Sequence, residues 1–348
     1  MNHEERSTAP APPVACFVCM GGENTLDISV ASVTEPYALE CNISYFAEVM
    51  EKLRYKLPRH HDYTFVFTRS VDELPAKFEN LPKLVVFVMG DEWARIPRYA
   101  SSVHAVFKAP GQQLKIAPHR GWLRFNLTAC LLHLRKQTKR FPNYWHDSVG
   151  NVFSIPYGYY RLPKRSDVKP INDRTLDVSF MGSVDHSGLR ERIKTTKILS
   201  RERMLSVLRE WDKKSPFSAY VQLSSYFPHA KQQPEHGGYP QVLMDTKICL
   251  APRGTHLETF RLGEGTYYGC VVIAEEQPEH WFAESSPALI INDWSKLPEL
   301  LDALLSDPEQ LANRQRQSLA YWDRMLSPDA VAAYIAHQLD TLSDRPRA

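Results

Sequence analysis

Between Trp93 and His146 the chain has no aspartate or glutamate, although over its full length it carries 40 acidic against 42 basic residues. The overall balance, a formal net charge of +2, argues against wholesale binding of nucleic acid. Cysteine is scarce: Cys16, Cys19, Cys41, Cys130, Cys249 and Cys270 lie mostly inside apolar runs and make neither a disulfide framework nor a zinc pattern. The Cys16-x-x-Cys19 pair falls in an apolar first strand, whereas a redox pair wants a helix N-terminus, so buried thiols are expected. No apolar run reaches the ~20 residues of a membrane span. The N-terminus Met-Asn-His-Glu-Glu-Arg is acidic and polar where a secretion signal would be basic and then apolar. These absences predict a cytoplasmic protein. Also missing are an Asp-x-Asp after a strand, a His/Cys/carboxylate group with ligand spacing, a Gly-x-Ser-x-Gly elbow and a Walker loop, so no metal site is expected.

What is present reads as two α/β lobes, because 348 residues exceed one ordinary core. Residues 1–13, rich in Pro and Ala, form a disordered lead-in. Strand-like runs at Val14–Met20, Tyr63–Thr68, Leu84–Met89, Val103–Phe107 and Val152–Ile155, with a helix over Ile43–Arg54, give a parallel-sheet lobe over 14–158. A linker over 159–174 follows. A second lobe over 175–307 has strands at Leu176–Phe180, Ala219–Leu223, Ile248–Leu250, Val271–Ile273 and Ala288–Ile291, with helices near 187–210, 256–268 and 295–306. Two helices, near 308–325 and 328–343, finish the chain.

The densest chemistry lies in residues 247–276. Ile248–Leu250 is a buried strand, Pro252-Arg253-Gly254 breaks it, and Thr255 to Tyr268 is read as a helix ending at Gly269. A helix start beside a glycine loop offers N–H groups and a positive dipole end to an anion, and Arg253 adds a forked donor. Arg261 and Glu264, three apart, share a helix face, so a guanidinium can meet phosphate while the carboxylate accepts from ribose. Lys247, Gly254 and Thr259 complete this candidate donor site. Gly182 and Ser183, which end the strand Asp177–Gly182, and Arg190 beyond them are placed at the same pyrophosphate. In the first lobe Asp91 and Glu92 end the buried strand Val85–Met89 and are the candidate bases, Asp91 first and Glu92 second, provided that burial raises the pKa.

At Pro252-Arg253-Gly254, Arg261, Glu264 and Gly269-Cys270 the chain resembles the C-terminal half of GT-B glycosyltransferases, most closely the exostosin-like family. Val272 stands where that family usually has proline. The tight match covers roughly thirty residues. The resemblance implies two Rossmann-like lobes facing a cleft, with terminal helices crossing back to the first lobe. It also implies transfer of a sugar from a nucleotide-sugar, without a further cofactor, to a saccharide or lipid-linked acceptor in polysaccharide assembly. Retaining enzymes of this type carry two glutamates eight apart, and His256 stands eight before Glu264, which implies inversion.

The acid-free interval carries Arg95, Arg98, Lys108, Lys115, Arg120, Arg124, Arg135, Lys136, Lys139 and Arg140 among Trp122, Phe125, Leu131, Leu132 and Leu134. This pattern suits an anionic partner: a membrane leaflet at its inner face, a lipid-pyrophosphate or an acidic polysaccharide. No nucleic-acid reading motif accompanies it. Two other readings stay open at this level: a nucleotide-sugar-binding module without catalysis, and a peripheral membrane or interaction protein that works through its basic lobe.

Overall fold

The computed structural model describes residues 16–21, 24–27, 43–78, 80–92, 94–111, 117–119, 121–144, 150–159, 165, 168–184, 195–223 and 238–343, with backbone alone for 16–27, Ile43 and 136–144. In chain order the first lobe holds β1 (Cys16–Gly21), β2 (Asn24–Asp27), α1 (Ile43–Lys56), β3 (Thr64–Thr68), β4 (Leu84–Met89), β5 (Ala105–Ala109), α2 (Leu123–Tyr144) and β6 (Val152–Ser154). Its sheet runs β2-β1-β3-β4-β5-β6, parallel except for β2, which pairs antiparallel with β1. All six residues of β4 are buried, as an unbroken apolar run requires in a sheet covered on both faces. Phe65, Val85, Phe87 and Phe107 point to one face with Tyr45, Phe46 and Val49 of α1. Val66, Val86, Val88 and Val106 point to the other, with Val71 and Phe78.

The second lobe holds β7 (Leu176–Gly182), α3 (Thr196–Asp212), β8 (Ala219–Leu223), α4 (Tyr239–Met244), β9 (Thr246–Ala251), α5 (Phe260–Tyr267), β10 (Val271–Ala274), β11 (Leu289–Ile290) and α6 (Leu297–Leu305). Its all-parallel sheet runs β11-β10-β9-β7-β8. The strand order reverses between β7 and β9. In open α/β sheets the crevice beyond the carboxyl ends of such a pair collects ligands.

Beyond α6 come α7 (Pro308–Tyr321), a π-helical turn over Trp322–Leu326 and α8 (Pro328–Ser343). α8 crosses back and packs along α1. Lys56 pairs with Asp329 at 2.9 Å, Tyr63 Oη lies 3.0 Å from Ser343 Oγ, and Tyr45 Oη donates to the Leu326 carbonyl at 2.6 Å. Tyr45, Tyr159, Tyr267 and Trp322 fill the seam between the lobes with ring contacts. This is the two-lobed architecture that the GT-B resemblance implies. Among the described residues no helix is long and apolar enough to cross a membrane.

One element departs from expectation. The helix read from Thr255 begins at Phe260, and residues 252–259 are a loop. Glu258 pulls that loop outward: its Oε1 accepts from Tyr157 N–H at 2.9 Å, so the chain is tied to the first lobe before it can coil. The interval 123–144, on which no secondary structure was read, is one continuous helix, and it packs on α3 of the other lobe.

Candidate functional site

Three basic side chains, Lys197, Arg201 and Arg261, meet where β7 and β9 end, and the loop that carries Arg253 is tied to them through its carbonyl. Ser183 follows β7, and its carbonyl accepts from Arg201 Nη1 at 2.5 Å while Lys197 Nζ lies 3.3 Å from its hydroxyl. Arg201 Nε also donates to the Arg253 carbonyl at 3.1 Å, which locks the Pro-Arg-Gly loop onto α3. Arg261 Nε donates to the Met181 carbonyl at 2.6 Å. The guanidiniums of Arg261 and Arg201 lie over the Phe180 ring, 4.9 and 6.0 Å from its centroid. Gly182 leaves room for the Arg261 guanidinium, which a Cβ at that position would displace.

These charges are poorly hydrated. Lys197, Arg201 and Arg253 are 9%, 5% and 6% exposed. Burial, reinforced by Arg201 beside it, lowers the Lys197 ammonium to about 8. Burial and Arg261 lower Arg201 to about 9. Arg253 is lowered by burial, against the pull of Glu275. Two carboxylates oppose the four cations among the described residues. Glu92, exposed at the end of β4, faces Lys197 and Arg201 from the first lobe and works against both shifts. Glu275, just past β10, takes a hydrogen bond from Ser200 Oγ and one from Trp294 Nε1 at 3.3 Å, and lies 3.6 Å from His119 Nε2. Burial pushes Glu275 up, but His119, Arg253 and Ser200 outweigh it and hold the carboxyl below its usual range.

The first lobe reaches into this centre through α2. His119 packs on Phe125 at 4.5 Å, and Phe125 carries the Arg253 guanidinium 5.7 Å from its ring centroid. Asn126 clamps the His119 backbone with two 2.9 Å hydrogen bonds. Like-charged groups held together out of water are costly, and a polyanion entering between them recovers that cost without reorganising the site.

Ser183, Arg253 and Arg261 belong to the cluster, Gly182 shapes it, and the Gly254 N–H is turned back on the His256 carbonyl at 3.0 Å. Thr259 is the residue before α5, with no side-chain cap bond. Glu264 is 1% exposed and accepts from Tyr239 Oη, so its carboxylate braces the lobe interior and is not presented to a ribose as expected. Lys247 sits at the opening end of β9, remote from Arg253, and pairs with Asp177 at 2.7 Å; strand direction excludes it from the donor site. Arg190 lies outside the described residues.

Asp91 is corrected most sharply. Its carboxylate is 2.8 Å from Lys108 Nζ and 3.1 Å from Arg95 Nε, and accepts from Arg95 N–H at 2.7 Å. Burial works to raise its pKa, yet these partners bring it below the usual carboxylate value, the reverse of what a base needs. Sequence reasoning missed Lys197, Arg201, His119 and Glu275. Glu275 alone carried a signal, as an acid closing an apolar strand.

No family model matches the chain, and no curated protein does. Among solved structures it is similar to the GtfA/B complex, at 12% identity and TM-score 0.44 over 84% of this chain and 60% of that one. It is similar to HepE of Anabaena in complex with UDP, at 10% identity and TM-score 0.43 over 85% of this chain and 84% of that one. The pneumococcal O-GlcNAc transferase GtfA in complex with UDP and GlcNAc gives 12% identity and TM-score 0.44, over 81% of this chain and 57% of that one. Likeness at this level carries no functional weight.

Proposed function

We propose that this chain is a glycosyltransferase that moves a sugar from a nucleotide-sugar, held by the second lobe, to a saccharide or lipid-linked acceptor held against the first lobe. One observation carries this reading: the buried Lys197 and Arg201 and the half-buried Arg261 converge at the β7/β9 switch point, with the buried Arg253 tied to them through its carbonyl. A nucleoside diphosphate is the leaving group that such a cluster suits, because its charge grows as the bond to the sugar breaks. The proposal assigns that charge to side-chain cations, not to a metal ion. In the inverting course the acceptor oxygen attacks the anomeric carbon, the bond to the diphosphate oxygen breaks, and the acceptor's proton passes to a carboxylate. With Asp91 committed to Lys108, that role falls to Glu92, which is exposed and faces the cations across the cleft. Polysaccharide assembly is the setting that the exostosin-like resemblance implies.

The test is release of nucleoside diphosphate from a panel of UDP-, GDP-, CDP- and ADP-sugars, with and without saccharide acceptors. Arg261→Ala is expected to lower kcat/KM by about 10²–10³ for the accepted donor. Glu92→Gln should abolish transfer and spare donor binding. Binding without turnover of any donor would make the chain a nucleotide-sugar-binding module, and an unimpaired Arg261→Ala enzyme would remove the assigned donor site.

A further inference from the structure

We propose that the outer face of α2 docks on an anionic lipid leaflet. This helix has two opposite apolar faces. Phe125 and Ala129 are buried and pack with Leu199 of α3. Leu123, Leu127, Leu131 and Leu134 are 73%, 56%, 67% and 60% exposed. Their steps of four, four and three residues align them in one row on the side away from Phe125 and Ala129. They account for more than half of the large hydrophobic side chains exposed among the described residues, and the exposed Cys130 lies beside them. Single exposed leucines need no explanation, but a contiguous row does.

Charge selects the occupant. Arg124 and Arg135 are exposed beside the row, and the interval from Trp93 to His146 supplies no acid. Elsewhere in that interval Arg95 and Lys108 pair with Asp91, and Arg98 with Asp72, so the basic excess narrows from the lobe to the α2 region. A second copy meeting this helix face to face would set arginine against arginine. Nucleic acid would gain nothing from the leucines. A leaflet rich in anionic headgroups receives both kinds of group: leucines at the acyl boundary, basic side chains at the phosphates. Because Phe125 on the inner face supports Arg253, docking would bring the lipid surface within about one helix diameter, ~10 Å, of the cation cluster. That placement suits an acceptor carried by lipid, a consequence that rests on the proposed transfer reaction; the docking itself does not.

The experiment is sedimentation of the full chain with vesicles of phosphatidylcholine alone and of phosphatidylcholine with phosphatidylglycerol, across a salt series. Binding is expected only with phosphatidylglycerol, weakening as salt rises and weakening about tenfold or more in Leu127→Glu/Leu131→Glu. The double variant should keep the wild-type melting temperature and nucleoside diphosphate release without lipid, since neither leucine touches the cation cluster. Binding indifferent to lipid charge, or equal in wild type and double variant, would overturn the proposal. So would a self-association abolished by the same substitutions with no vesicle binding, which would make the row an interface between copies.

Discussion

Asp91 and Glu92 are adjacent in sequence and opposite in circumstance. An acid at the end of a buried strand is legible as a candidate base, but whether its proton affinity rises or falls depends on groups that sequence does not place. Lys108, 17 residues on, is 0% exposed and spends its charge on Asp91. Asp91→Ala should therefore destabilise the protein by about 3–5 kcal/mol, because the ammonium is left buried without its carboxylate. Urea unfolding measures this, and a loss within ~0.5 kcal/mol would contradict the assigned ion pair. Glu258 has the contrary environment: burial raises it to about 8, against hydrogen bonds from the Tyr157 and Gly111 N–H groups. A carboxyl raised on folding contributes stability below its unfolded value near 4.5 and loses it as pH climbs toward about 8. Glu258→Gln should accordingly melt like wild type at pH 4 and progressively above it between about pH 5 and 8. A melting difference that does not change with pH would show that Glu258 is not held neutral.

At the scale of elements, strands were the legible part. Apolar runs such as Leu84–Met89 cover two faces of a sheet whatever their neighbours, so their positions follow from composition alone. Helix limits follow from tertiary ties, and α5 starts late because Glu258 belongs to the first lobe's backbone. Lys247 was placed at the site by nearness in sequence to Arg253, yet a six-residue strand separates the two ends of β9. Lys197 and Arg201 gave no sign at all, since a basic residue near a helix start reads as a solvated surface until the switch point beneath it is known. α5 meets the first lobe at Gly263, where a Cβ would stand 2.6 Å from the Gly158 carbonyl oxygen. Gly263→Ala should cost about 1–3 kcal/mol by forcing this helix off the interlobe strap. An unchanged unfolding midpoint would show that the approach is not constrained.

For the whole molecule, the two sheets were readable from the spacing of their strands, while the facing lobes and the returning helices were legible only through the GT-B resemblance. The returning α8, the aromatic seam and the reach of α2 across the cleft are long-range packing that no local pattern specifies. That packing makes the site: Phe125 and His119 of one lobe enclose Arg253 and Glu275 of the other. In the proposed function this enclosure holds a nucleoside diphosphate. Isothermal titration of wild type, Arg261→Ala and Lys197→Met with UDP, GDP, CDP and ADP, at pH 8 in buffers of different ionisation enthalpy, tests it. One nucleotide should bind wild type with proton uptake, because Lys197 stands at about 8 before the diphosphate arrives and is driven to its charged form by it. Affinity should drop about tenfold or more in both variants, and the uptake should vanish in Lys197→Met. If none of the four binds, or the bound one behaves alike in all three proteins, the cluster does not serve a donor diphosphate.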